Sequence, residues 1–339
     1  MQTSSTSIVQ AASRLGSAQL AFLVLATLGL ASCAADDRPR LPELNASDQL
    51  ANARQCQYQG RTAAAHGLFV EILRSQPDVL GAWEGAVETA PDDDAGRAEL
   101  DRALEARIAS VGTSTPAAMP LLTLRLELTT DLAAREKALY DLVNAHPSHN
   151  AWPRTALGTV VASRGNHRAA LRFFAEAADD APGLARAWSG LATTQMALGN
   201  ELDAVPAYER YLRERPRDPQ ALYNLALILV QRRQRPRDAL PYLERANQVL
   251  PDDVDILTNL GSVLLLQNDP DIKHAERCFV RARDLSPQDP DVHYNLGVIY
   301  ADHLDQDAKA ISSFERYLEL GGSGQERVRA WIAELKKGS

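Results

Sequence analysis

Three asparagines recur at one place in the chain's pattern. Tyr223-Asn224-Leu225, Thr258-Asn259-Leu260 and Tyr294-Asn295-Leu296 set the amides 35 and 36 residues apart. If each following Leu faces a core, each amide projects from another face of the same helix. An amide offers one acceptor and two donors, so a row of them can hold the backbone of an extended peptide whatever its sequence. Tyr223 and Tyr294 add flat, amphipathic contact area, with Thr258 in the corresponding place. The plainer alternative is that these Asn satisfy neighbouring helix ends. A second cluster, Arg232, Arg233, Arg235 and Arg237, follows Arg213, Arg215 and Arg217. It fits an acidic partner or lipid headgroups, or else a solvated turn in an Arg-rich chain.

Other reactive types are sparse. His146 and His149 form an HxxH beside Pro147, but two ligands do not make a zinc site. No HExxH, GxSxG, Gly-rich phosphate loop or kinase signature occurs. The expectation is no catalytic residue, no metal, no cofactor and no small-molecule substrate. There are three cysteines, at 33, 56 and 278.

These residues must be positioned by helices. The chain has 339 residues, 45% of them hydrophobic and only 6% aromatic. The apolar share leans on Ala and Leu, good helix formers, and no long Val/Ile/Thr alternation suggests a sheet. The formal charge of −8 argues against nucleic acid as the partner, which needs a basic field.

Residues 1–32 carry a single charge, Arg14, followed by an apolar stretch to Leu30. This reads as an export signal, excluded from the fold. It ends in Leu30-Ala31-Ser32-Cys33, which resembles the lipobox of bacterial lipoproteins: an aliphatic residue, two small residues, then a Cys. The resemblance implies that Cys33 is lipidated and becomes the first residue, and that two or three acyl chains anchor the protein. At about 0.8 kcal/mol per buried CH₂ such an anchor is stable, whereas one chain is marginal. An uncleaved membrane helix is the alternative, since the stretch is about 18 residues, at the lower edge of a span. Ala34 follows the Cys where the sorting rule for inner-membrane retention has Asp, which implies the outer membrane facing the periplasm, with the periplasmic face of the inner membrane as alternative. Residues 33–45 are the lipidated Cys and a tether.

Beyond residue 45 the chain repeats. Prolines fall at 147, 182, 216, 251 and 287, steps of 35, 34, 35 and 36. Small residues keep step at Ala65, Ala170, Ala204, Ala239, Ala275 and Ala310, and each is followed four residues later by Phe69, Phe174, Tyr208, Leu243, Phe279 or Phe314. A second small series is Ala53, Gly158, Ala192, Ala226, Gly261 and Gly297. Small residues belong where helices approach closely and large ones beside them. Asp218-Pro219 and Asp289-Pro290 place an N-cap acceptor before a first-turn Pro, and Asp252-Asp253 sits similarly.

Trp188-Leu191-Ala192-Gly199-Ala204-Tyr208-Pro216 and Leu296-Gly297-Tyr300-Ala310-Phe314 resemble the tetratricopeptide repeat, a helix–turn–helix unit of 34 residues. The resemblance implies an all-α fold: a right-handed solenoid, a superhelix of antiparallel helix pairs whose first helices line a concave groove. One unit is expected at 46–79, two degenerate units at 80–150, five units at 151–322 and a capping helix at 323–339. In that helix Val328, Trp331, Ile332 and Leu335 should cover the last unit. Because such units touch only their neighbours, Cys56 and Cys278 are expected to be unpaired small core residues.

The Asn row resembles the asparagine ladder of the peptide-binding repeats in O-linked N-acetylglucosamine transferases. The resulting expectation is a non-enzymatic, membrane-anchored lipoprotein scaffold. It would bind a protein or extended peptide partner in its groove and support assembly of a cell-envelope complex such as a pilus or secretion apparatus, in the manner of tetratricopeptide pilotins. The alternative is a general periplasmic adaptor or holdase-type chaperone.

Overall fold

The computed structural model describes residues 45–231 and 236–338. The signal stretch 1–32, Cys33, its tether to residue 44, and Arg232, Arg233 and Arg235 lie outside the described residues. Among the described residues there are seventeen α-helices and no strand. They form two compact units divided between Asn200 and Glu201, so the division passes through the segment 185–218 that the repeat pattern treats as one unit.

The first unit holds α1 (Ala46–Tyr58), α2 (Thr62–Ser75), α3 (Leu80–Glu88), α4 (Asp94–Val111), α5 (Ala118–Glu127), α6 (Leu132–Ala145), α7 (Ala151–Ser163), α8 (His167–Asp180) and α9 (Ala185–Ala197). The second holds α10 (Glu201–Glu214), α11 (Pro219–Gln231), α12 (Pro236–Val249), α13 (Val254–Leu265), α14 (Ile272–Leu285), α15 (Pro290–Asp302), α16 (Asp307–Glu319) and α17 (Gln325–Gly338). Within each unit most helices adjacent in sequence pack together, as in α1 on α2 or α15 on α16, and first helices of successive pairs also touch, α3 on α5, α5 on α7, α13 on α15.

Each pair closes for a local reason. Asn45, Asp93, Asp131, Asn166, Asp218, Asp253, Asp271 and Asp289 accept hydrogen bonds from backbone N–H groups in the first turn of the helix that follows, satisfying donors the helix cannot. At the turns into α8 and α10, Gly165 and Gly199 adopt φ of 79° and 76°, a region an L side chain resists. The six alanines of the second helices are fully buried, and Phe69, Phe174, Tyr208, Leu243, Phe279 and Phe314 are buried beside them. The Gly series marks a close approach: a Cβ on Gly297 would lie 2.4 Å from the Phe314 ring, so α15 can lie on α16 only without one.

The inter-unit prolines serve as acceptors. Trp83 Nε1 donates to the Pro77 carbonyl at 2.9 Å and Trp188 Nε1 to that of Pro182 at 2.8 Å; His293 Nε2 lies 3.0 Å from that of Pro287. The buried ring of His293 thus stands in the third position where the others have an indole. The pattern of four further arginines escaped the sequence reading. Arg107, Arg245, Arg281 and Arg316 lie in second helices and bond Asp78, the Pro216 carbonyl, Asp252 and Gln288 in the turn that precedes their own pair.

The last described helix, α17, is amphipathic. Val328 and Ile332 are buried in α17, which packs on α16, while Glu326, Arg329, Glu334 and Lys336 are exposed or half-buried. Trp331 joins Phe314, Tyr317 and Tyr294 in one aromatic cluster, with centroids 5.4–6.2 Å apart.

Candidate functional site

In the second unit, α11, α13 and α15 present matching stripes. Residues at i, i+4, i+7 and i+11 share one face of a helix. On α11 these are Gln220, Asn224, Leu227 and Gln231; on α13, Asp255, Asn259, Ser262 and the C-cap residue Leu266; on α15, Asp291, Asn295, Val298 and Asp302. The steps are 35 and 36 at every one of the four positions. All twelve residues are exposed or half-buried, while the intervening Leu225, Leu260 and Leu296 are buried. The three Asn therefore stand on the side away from the core, as their spacing predicts.

The rungs are not equivalent. Asn224 Oδ1 accepts from Gln220 Nε2 at 3.0 Å, and its Nδ2 donates to Tyr208 Oη at 3.1 Å. Asn259 Nδ2 donates to Tyr223 Oη at 3.2 Å and to the Asp255 carbonyl at 2.8 Å, which leaves its Oδ1 to accept. The Asn295 side chain makes no hydrogen bond among the described residues and keeps a full amide. The phenols act as orienters. Burial raises the pKa of Tyr208 against the hydrogen bond from Asn224, with Asp218 adding to the rise. Burial, then Asp255 and Asp253, raises that of Tyr223. Both stay neutral hydroxyls, able to accept from an amide.

The structure places the neighbouring residues differently from the sequence expectation. Thr258 Oγ1 turns back to the Val254 and Asp255 carbonyls at 2.9 and 3.1 Å, so its hydroxyl serves its own helix. Tyr294 is half-buried in the aromatic cluster under α17. Tyr223 keeps the predicted neighbourhood, holding Asn259 across from α11. Arg237 is exposed at the start of α12. His149 is exposed and His146 half-buried, in the turn before α7. Cys56 and Cys278 are buried free thiols, one in each unit, and burial pushes the Cys278 thiol up to about 11.

The corresponding helices of the first unit carry a feature the sequence reading did not assemble. Arg54 on α1 bonds Glu88 and lies 3.4 Å from Glu84 on α3, 2.8 Å from Gln57 Oε1 and 3.2 Å from the Gly81 carbonyl. Arg186 on α9 makes a two-oxygen pairing with Glu127 at the end of α5, 2.8 Å to each, and lies 3.7 Å from Glu84. The Arg54 and Glu84 side chains are 9% and 6% exposed. The guanidinium of Arg54 lies over the Phe69 ring and that of Arg186 over Trp152, 5.1 and 5.5 Å from the centroids. Burial alone would raise the pKa of Glu88; Arg54, Gln57 and Arg186 together outweigh it and lower it. The carboxylates of Glu127 and Glu84 that Arg186 meets come from helix pairs well before its own in the chain.

Among the described residues no group of His, Cys, Asp and Glu is arranged to hold a metal ion, and no helix is long and apolar enough to cross a membrane. A cleft of about 590 Å³ between α14, α15 and α16 includes Arg283 and Arg316, but Asp284 takes the first and Glu319 with Gln288 the second.

Models of the tetratricopeptide repeat match residues 162–222, 223–271 and 271–324. Residues 162–324 therefore carry tetratricopeptide repeats, and the all-α fold is of the solenoid type that such repeats build. Among solved structures it is similar to YrrB, described as a tetratricopeptide protein with an unusual peptide-binding site, at 22% identity and a TM-score of 0.52 over 57% of this chain and 98% of that one. It is also similar to MamA from Desulfovibrio magneticus RS-1, at 24% identity and a TM-score of 0.43 over 50% of this chain and 94% of that one. Among curated proteins it is 35% identical over 85 residues to the human protein O-mannosyl-transferase TMTC3, a stretch that is 25% of this chain and 9% of that protein. The likeness to YrrB shows the fold, and a protein–protein interaction scaffold is the role that this fold suggests.

Proposed function

We propose that the protein is a membrane-anchored, non-catalytic scaffold that grips an extended segment of a partner protein on the α11, α13 and α15 face and so supports assembly of a cell-envelope complex. One observation carries the reading: four positions recur in register on three successive first helices, all turned away from the core, with amides at the second position of each. A peptide backbone repeats its donors and acceptors regularly, and Asn295 and the Asn259 oxygen are available to meet them. The peptide-binding site named for YrrB lends this reading further support.

The anchor is the acyl-modified Cys33, which would hold the face at a bilayer, on the outer membrane facing the periplasm. The support is the apolar stretch ending in Leu30-Ala31-Ser32-Cys33.

Two experiments test the two halves separately. A photo-reactive residue at Leu227 or Ser262 should cross-link a partner in intact cells, and N224A/N259A/N295A should abolish that cross-link while a probe at exposed Arg281 yields none in either background. Equal cross-linking at Arg281 would remove the face from the proposal. For the anchor, Cys33→Ser should release the protein from membranes and remove acyl label; a variant still firmly membrane-bound would overturn lipidation.

A further inference from the structure

The interaction face has a charge pattern that its amides do not require. In the second unit every helical Lys and Arg lies in α10, α12, α14, α16 or α17. The helices α11, α13 and α15 hold none; their charged residues are Asp255, Asp291 and Asp302. All three lie on the stripes described above, at the two outer positions, and all three are exposed. No Lys or Arg among the described residues pairs with them, although Arg281 and Arg316 of the same unit do bond Asp252 and Glu319. Asp255 and Asp291 stand in first turns, where the helix dipole favours an acid. Asp302 does not: it is the last residue of α15, at the negative end of the dipole, where an acid is disfavoured. Helix stability therefore does not explain the third acid.

The charges are also graded. The stripe on α11 is neutral, that on α13 carries one acid and that on α15 two, one at each end. Between these last acids lie the uncommitted amide of Asn295 and the half-buried Val298, and the α13 stripe ends in Leu266, which is 54% exposed.

We infer that the occupant of this face is an extended protein segment with Arg or Lys side chains gathered at one end, that end lying over α15, and an aliphatic side chain against Leu266. This rests on the reading of the face as peptide-binding and names the chemistry that face selects. The amides hold the backbone without regard to sequence; the unpaired acids favour a basic segment and repel an acidic one, with bases kept off the stripe so that nothing competes. Solvent-exposed charges act mainly on selectivity and salt dependence, each contributing modestly.

The test uses detergent-purified full chain and three labelled peptides of one Gly/Ser/Leu host sequence, bearing two Arg, two Gln or two Glu near one end, titrated by fluorescence anisotropy. The Arg peptide should bind about tenfold more tightly than the Gln peptide, and the Glu peptide least. The advantage should shrink with added salt and vanish in D255N/D291N/D302N, whose three positions are exposed. If that variant melts lower than the parent, D302N alone should show a partial loss of the same advantage. A photo-reactive group at the basic end should label α15 and not α11. Equal binding of the Arg and Gln peptides, tighter binding of the Glu peptide, no binding by any of them, or an advantage that survives the Asp substitutions would each overturn the inference. A Gln peptide that binds as well as the Arg peptide, and is lost in N224A/N259A/N295A, overturns the basic preference while leaving the peptide face standing. The fate of the face itself is decided by the cross-links at Leu227 and Ser262.

Discussion

The first helices of the two units use one backbone plan for opposite ends. In the second unit, α11, α13 and α15 repeat neutral amides and leave their acids unpaired and exposed. In the first, α1, α3, α5 and α9 send Arg54, Glu84, Glu88, Glu127 and Arg186 toward one another, where the buried Arg54 and Glu84 meet the half-buried Arg186 and Glu127 and the exposed Glu88. The charges of the first face pair with one another, whereas the acids of the second are unpaired among the described residues. In an ordinary repeat array each unit meets only its neighbours. Here Arg186 reaches Glu127 and Glu84, 59 and 102 residues back, so the first unit behaves as one interlocked body. The irregular stretch 80–150 contributes to that body. It supplies Glu84, Glu88 and Glu127, which the repeat pattern does not call for and which the network requires.

The sharpest way to break this contrast is to remove a buried charge. Arg54→Ala removes the guanidinium that meets Glu88 and the buried Glu84. The expected loss is about 3–5 kcal/mol, because uncompensated buried charge is costly. Trp83, Trp152 and Trp188 lie in the first unit and Trp331 in the second, so urea titration of a Trp331→Phe background reports the first unit alone. An unchanged midpoint there would refute the network's role.

Packing gives the next effect, and in the other unit. Ala204→Leu in α10 adds volume at a fully buried position beside buried Tyr208 and should cost about 1–3 kcal/mol. Trp331 fluorescence should report a lowered midpoint while the tryptophans of the first unit keep theirs.

Acid sharpens the comparison without a mutation. The folded-state pKa of Glu88 lies below the ordinary carboxylate value of 4.5, so its stabilising contribution is present above that value and is lost as pH falls through the lowered one. The first unit should lose stability in that acid range, and Glu88→Gln should flatten the dependence. A pH profile identical in parent and variant would contradict the assignment. Smallest of all, Arg281→Ala removes an exposed pair with Asp252, and the cost should stay under about 1 kcal/mol. A larger loss would show that the recurrent arginine-to-turn bonds carry more of the stack than exposed pairs normally do.

Much of this was legible in the residues themselves. The period near 35, the alanines at 170, 204, 239, 275 and 310 with their large partners, the Asp and Asn caps and the amphipathic last helix are all local. Each follows from helical spacing and from which side chains fit between two close helices, and the Asn stripe follows from the same arithmetic. The surroundings of those Asn were not legible. Thr258 and Tyr294 share their register with Tyr223, yet the Thr258 hydroxyl folds back on its own helix, the Tyr294 ring lies under α17, and of the three only Tyr223 meets an Asn.

What the residue order alone determined, then, is the brick and its face: two helices, a turn, and a polar side opposite an apolar one. Which distant bricks meet, and so whether a charged side chain on that face is spent on Arg54 and Arg186 or left exposed at Asp302, was decided only in three dimensions. Helical periodicity is written every three or four residues, whereas an ion pair between residues 84 and 186 depends on the summed tilt of every pair stacked between them.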